Sequence, residues 1–339
     1  FSRGLGDVYK RQDGYLYGFG DHMFTTGGNI IGNFPYSASN AWDRNREVGA
    51  SFEVYEPGNG KNLRIDAGLK MFGGWGSRGY PQKSMAVFAR GEYGFGKIRH
   101  QFFPDKPVDS FESIVLRNSG NDNQSTWLTY PRPPIDEFSS PVSHGSYFVN
   151  GNFTKFRDAM MQSLMDGTGL DTQGYRPAVL YVNGDYWGIY NVREKLTEHY
   201  VESTHGVPSD EIDLIEGYGS ANTGSSSTYN QMRNFIQSRP MDNSADYQTV
   251  QDLYLDIDNF IDYHLAVIYG QTFDIGNIKC WRQRRAVGGQ FRWMLYDQDY
   301  SFNLWKPDVY IPAMRRDYSD YDNMFTFCTN PVGSGTGWP

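Results

Sequence analysis

The sequence predicts an α+β protein, β-rich in its first part and mixed helical in its second. Residues to about 120 alternate apolar and polar positions between glycine-containing turns, as half-buried strands do. From about residue 153, apolar residues recur at helical spacing between further strand-like runs. A content of 16% aromatic residues and 38 glycines fits many strands and turns.

Val48–Glu56 and Arg64–Phe72 read as strands joined by a turn at Pro57, Gly58, Asn59 and Gly60. The glycine-rich run GGWGSRGYPQKS, residues 73–84, is too irregular for either state and leads into the strand SMAVFAR. SIVLRN, 113–118, is a further strand, and the Pro- and Ser-rich passage 130–145 is a surface loop. FTKFRDAMMQSLM, 153–165, has helical spacing, with Gly167 and Gly169 as stop signals. PAVLYVNGDYWGIYNV, 177–192, is two strands around Asn183 and Gly184, both tolerant of positive φ. EKLTEHYVESTHG predicts a short helix ending at Gly206, ANTGSSSTYN a flexible polar loop, and 229–238 another helix. In DIDNFIDYHLAVIYG, 256–270, Ile257, Phe260, Ile261, Leu265 and Ile268 form the expected apolar face, with acids in the first turn.

The first twelve residues, FSRGLGDVYKRQ, stand apart, because DVYKRQ is encodable by a codon string resembling a sequencing-library transposon adapter. They are expected to be an artefact, leaving one domain over 13–330 with a β-rich lobe at about 13–150 and a second lobe at about 151–330. Residues 331–339, ending GSGTGWP, are expected to be a truncated end. The net charge of −8, or −10 without a first segment that holds three cations and one anion, argues against a nucleic-acid partner bound through phosphates. No apolar run is long enough to span a bilayer. Cys280 and Cys328 define no disulfide framework and are either free thiols or one bridge.

Two polar groups carry candidate chemistry. In FDIGNIKCWRQRRAVGGQFRWMLYDQDYSF, Gly288 and Gly289 supply a two-residue turn; pairing Val287 with Gln290 places Asp297 opposite Cys280 and Asp299 opposite Ile278. Strand alternation then sets both acids on one face, beside Asp274 and Asn277 at the mouth of the hairpin. Three carboxylates and an amide oxygen make a hard-ligand set suited to Mg²⁺ or Ca²⁺. Any one of these residues alone is an ordinary turn residue, but four together repel each other without a cation. In the second group, Lys83 opens a strand after the glycine-rich loop that carries Arg78, while Arg193 and Glu194 close another. A lysine there can reach a phosphate with a glutamate to hold it, although a strand-mouth lysine is ordinarily solvated. None of the histidines shows ligand spacing, and His264 is expected to be packed in its helix.

The blocks GGWGSRGYPQKS, LRNSGND, FRDAMMQSL, VNGDYWGIYNVREK, DIDNFIDYHLAVIYG, GNIKCWR and WMLYDQDYSF, in this order over 48–330, resemble the CotH kinase family, named for a spore-coat protein. The resemblance implies an atypical protein-kinase-like fold with a catalytic hairpin, transferring phosphate from ATP to Ser/Thr of a protein substrate with Mg²⁺, or Mn²⁺ or Ca²⁺. By the same resemblance Lys83 is the ATP-phosphate lysine, Glu194 its acidic partner, and Arg78 a further phosphate contact. Asp274 is the catalytic base, and Asn277, Asp297 and Asp299 are metal ligands. A Ser-rich basic protein is one candidate substrate, and the spore coat or a bacterial surface the implied location. The sequence departs from the family in two places. Only two residues separate Asp274 from Asn277, where kinases and much of the family have a longer spacing. Asp299 is followed by Tyr300 and Ser301 where the family commonly has Phe-Gly. A non-catalytic coat or surface scaffold is the alternative function. The Asp297–Asp299 pair as the DxD of a glycosyltransferase ranks last, because no βαβ alternation precedes it.

Overall fold

The computed structural model describes residues 47–58, 60, 62–73, 77, 82–123, 154–270, 272, 276–285 and 289–302. Residues 1–12 and 331–339, the 130–145 passage, Arg78, Asp274, Gly288 and Cys328 lie outside them. The chain divides into two compact units: one runs to Phe156 and includes Gly174–Lys195, and the other comprises Arg157–Gln173 and the chain from Leu196 onward. Helices and antiparallel sheets together make this an α+β protein.

In the first unit the strands are β1 (Glu47–Val54), β2 (Leu63–Met71), β3 (Met85–Phe88), β4 (Ile98–Arg99), β5 (Ser110–Phe111), β6 (Ser113–Arg117), β7 (Tyr175–Val182) and β8 (Asp185–Glu194). Six of them form one antiparallel sheet in the order β1-β2-β3-β6-β8-β7, and β4 pairs with β5. Alternation decides the core: Ile65, Ala67, Leu69 and Met71 of β2 are buried together with Met85, Val87, Ile114, Leu116 and Val192. Phe102, Phe103 and Phe111 join this core with tilted and edge-to-face rings. Every residue of β6 is buried, and its centre, Ile114 to Leu116, is apolar without alternation, between a buried Ser113 and a buried Arg117. At the β7–β8 turn Asn183 has φ 52° and Gly184 φ 88°, the two left-handed positions that the sequence pair predicts.

In the second unit, α1 (Arg157–Ser163) precedes α2 (Glu198–His205), β9 (Ile212–Glu216), β10 (Ser220–Thr223), α3 (Ser227–Gln237), α4 (Ser244–Leu253), α5 (Ile257–Gly270), β11 (Lys279–Gln283) and β12 (Arg292–Met294). The sheet order is β10-β9-β11-β12, antiparallel throughout. Both faces of this sheet are covered. Ile215, Cys280 and Trp293 pack with Tyr229, Met232, Val250 and Tyr263 from α3, α4 and α5. Their neighbours Leu214, Trp281 and Met294 pack with Tyr200 and Val201 of α2. Cys280 is a buried free thiol, and burial pushes it up from the usual thiol range.

Three sequence expectations need correction. The stretch expected as a polar loop contributes β10, which pairs with the edge of β9, and the helix after it begins at Ser227. An edge strand satisfied by backbone pairing needs no apolar alternation, and β10 has none. Of the expected α5 face, Ile257, Phe260 and Ile268 pack against the core, but Ile261 and Leu265 are 48% and 57% exposed, and the fully buried positions are Asn259, Tyr263, Ala266, Val267 and Gly270. Small residues bring α5 close to its neighbour: a Cβ on Gly270 would stand 2.7 Å from the Met161 sulfur. Helix α4, with Asn243 accepting from the Ala245 and Asp246 amides as N-cap, was not predicted.

Candidate functional site

The first-unit group centres on residues 82–84. Lys83 is only 3% exposed, so a solvated strand-mouth lysine is excluded. Its carbonyl accepts from Tyr190 Oη at 2.8 Å. Asn118 clamps both neighbours: its Nδ2 donates to the Gln82 carbonyl at 2.6 Å, and its Oδ1 accepts from Ser84 Oγ at 2.8 Å. Asn118 belongs to LRNSGND and Tyr190 to VNGDYWGIYNVREK, so two distant sequence blocks fix the backbone that carries Lys83. Burial holds the Tyr190 phenol well above its usual range, which keeps it a hydrogen-bond donor.

Glu194 ends β8 and is buried. Its Oε2 accepts from Lys106 Nζ and from the Gly174 amide, each at 2.6 Å. Lys106 is a cation that sequence reasoning missed. It sits in a turn between two prolines, 88 residues from Glu194, and nothing local marks it. Arg193, almost fully buried beside Glu194, lies over the Tyr175 ring.

In the second unit the predicted hairpin register is wrong. Cys280 pairs with Trp293 and Lys279 with Met294, so β12 ends before either acid. The connection is longer than two residues because Phe291 is drawn out of it: its amide donates to the Tyr254 carbonyl, its carbonyl accepts from Asp256, and its ring is fully buried. Asp297 and Asp299 therefore sit in a loop, and strand alternation does not place them.

That loop, 295–302, is tied down at nearly every step. The Leu295 amide donates to the Asp171 carbonyl at 2.9 Å. Gln298 receives Thr272 Oγ1 on its side chain at 2.7 Å, and its amide donates to Asp158 Oδ1 at 2.8 Å. Arg157 Nη1 donates to the Ser301 and Phe302 carbonyls, and the Phe302 amide donates to the Gly270 carbonyl. Asp297 has φ 57°, a left-handed conformation uncommon for a residue with a Cβ and retained only where surroundings over-determine it. Asp299, two residues on, is 1% exposed. Arg157, Asp158, Thr272 and Gln298 are thus positioning residues missed in the sequence. FRDAMMQSL supplies two of them, but the 140-residue separation of Asp158 from Gln298 hides the link.

Asn277 is half-buried just before β11, and Asp274 lies outside the described residues. Among the described residues, no group of three or more His, Cys, Asp or Glu is placed to hold one metal ion. The donors present, Asn277, Asp297 and Asp299, are all oxygen, the chemistry that fits Mg²⁺, Mn²⁺ or Ca²⁺ rather than zinc. At the same end of the sheet, Glu216 faces Lys279 at 3.4 Å and accepts from Tyr296 Oη at 3.3 Å. Burial alone would raise the Glu216 carboxyl, but the Lys279 charge and its hydrogen bonds bring it below the usual range.

The described residues thus make an α+β chain with a buried lysine at one sheet and a clamped, acid-bearing loop after the other. A family model described as CotH kinase protein matches residues 151–332, just over half of the sequence, and the chain belongs to this family. Glu194, Asp274, Asn277, Asp297 and Asp299 fall within the matched segment; Arg78 and Lys83 precede it. No curated protein matches the chain. Among the described residues no helix is long and apolar enough to cross a membrane.

Proposed function

We propose that this chain is a protein kinase that transfers the γ-phosphoryl group of ATP to a serine or threonine hydroxyl of a protein. The observation that carries the reading is the loop 295–302: a left-handed Asp297 and a buried Asp299, held in place by α1, Thr272 and α5, in a chain of the CotH kinase family. Phosphoryl transfer is mostly positioning and charge stabilisation, and rigid placement of acids is what it requires.

In this reading Lys83 grips nucleotide phosphate, with Arg78 as a further contact, and Glu194 orients the cationic side chains around it, Lys106 among them. Asn277, Asp297 and Asp299 would hold Mg²⁺, Mn²⁺ or Ca²⁺, which when bound offsets phosphate charge. Asp274 accepts the proton of the substrate hydroxyl as its oxygen bonds to phosphorus and the bond from phosphorus to the ADP oxygen breaks. The acidic chain favours a basic substrate, and a Ser-rich basic protein of a spore coat or cell surface has the matching chemistry. Purified chain with labelled ATP and Mg²⁺ or Mn²⁺ is expected to label itself or such a protein, and Asp274→Asn to abolish labelling. Absence of both labelling and any metal-dependent stabilisation by ATP would overturn this reading and favour the scaffold alternative.

A further inference from the structure

Lys155 is not among the residues to which the family resemblance gives a role, yet side chains of the first unit hold both its backbone and its ammonium. Its backbone adopts φ 64°, the left-handed region that a lysine rarely occupies. Two side chains hold it there: Ser119 Oγ and Asn191 Nδ2 both donate to its carbonyl, at 2.5 and 2.7 Å. The preceding residue is pinned as well, with Thr154 amide and Oγ1 donating to the two oxygens of Asp122 at 2.7 Å each. Ser119 and Asp122 come from LRNSGND and Asn191 from VNGDYWGIYNVREK.

This geometry delivers the ammonium to the residue before Lys83. Lys155 Nζ donates to Gln82 Oε1 at 2.6 Å, and Gln82 Nε2 donates to the Ile189 carbonyl at 2.7 Å. The end of the Gln82 side chain lies close over Gly188, at φ 121°: a Cβ there would stand 2.7 Å from Gln82 Nε2. Among the described residues, Gln82 Oε1 is the one acceptor for the Lys155 ammonium, and no carboxylate lies within ion-pairing distance of it. Burial pulls the lysine below its usual pKa, and the Asp122 charge only partly offsets that. A half-buried ammonium on a neutral amide, held in a strained backbone, is unfavourable unless an anion completes it.

We propose that Lys155 is a phosphate-binding cation of the first unit in addition to Lys83, taking an oxygen of a polyphosphate. Its identification of that polyphosphate as the ATP chain rests on the kinase reading; its assignment as an anion site does not. Two flexible-stemmed point charges suit a phosphate chain, which presents several oxygens without a single planar geometry.

The test is binding of inorganic triphosphate and of ATP, each with Mg²⁺, to the whole chain, followed by calorimetry and by thermal melting. Wild type is expected to bind both, Lys155→Met to bind each about tenfold or more weakly, and Lys155→Arg to recover most of the loss. Without ligand, Lys155→Met is expected to melt at or above the wild-type temperature, because it removes a desolvated charge; a lysine of purely structural value would melt lower. Triphosphate binding by Lys155→Met within about twofold of wild type overturns the inference and leaves the kinase reading standing. Lys155-dependent binding of triphosphate without binding of ATP supports the anion site and removes the kinase reading. Failure of wild type to bind either ligand overturns both.

Discussion

Asp297 holds a backbone conformation, φ 57°, that glycine would adopt without strain. Its cost should be visible as a trade between stability and activity. Asp297→Gly is expected to stabilise the chain by about 1 kcal/mol in denaturant unfolding while removing phosphoryl transfer. Loss of stability in that variant would mean that the carboxylate, not the backbone, is what the loop needs. His264 makes a second prediction at this scale. Packed against Phe260 and Tyr263, it is pushed down by burial from 6.5 to about 4. Between those values the unfolded chain binds the proton and the folded chain does not. The stabilisation is therefore complete above pH 6.5 and is lost as pH falls toward about 4, by up to about 2 to 3 kcal/mol. Unfolding of wild type and His264→Phe across pH 4 to 7 checks this: the variant should show a flatter profile, and parallel profiles would contradict it.

At the scale of elements, legibility follows the range of the interactions that decide each feature. The β7–β8 hairpin was readable because Asn183 and Gly184 fix the turn through their own φ angles. The C-terminus of α2 was readable for the same reason, with Gly206 at φ 70° donating to the Glu202 carbonyl. The β11–β12 connection was misread because Phe291 leaves the hairpin for the backbone of Tyr254 and Asp256, a partner choice that no local pattern encodes. Helix α5 shows the same limit. Its sequence carries apolar residues on more than one face, and the packed face includes Gly270, which approaches Met161 closely. Gly270→Ala should accordingly destabilise by about 1 to 3 kcal/mol through overpacking against Met161, whereas Leu265→Ala on the exposed face should cost well under that. Equal effects on the urea midpoint would contradict the packing. The candidate site divides likewise: its acids stood out as residue types, but Arg157, Asp158, Thr272 and Gln298, which set the loop, and Lys106 on Glu194, are joined to it only through folding.

For the whole molecule, each unit owns a core and an antiparallel sheet, one of six strands and one of four. Class and family were both accessible from the sequence, because alternation, helical spacing and the ordered blocks survive without knowledge of contacts. The CotH match over 151–332 spans the carboxylate-bearing segments, while Lys83 is tied into the fold by Asn118 and Tyr190. The net charge of −8 directs the search for a substrate toward basic proteins and away from nucleic acids. If the clamped loop 295–302 serves phosphoryl transfer, the rate of label transfer from ATP should depend on Asp297, measured in wild type and in Asp297→Asn with equal folding verified by melting. Wild type is expected to show metal-dependent transfer, lost on chelation, and Asp297→Asn a rate lower by about a hundredfold or more. Transfer by Asp297→Asn at the wild-type rate, or no transfer by wild type with any of Mg²⁺, Mn²⁺ or Ca²⁺, would contradict it.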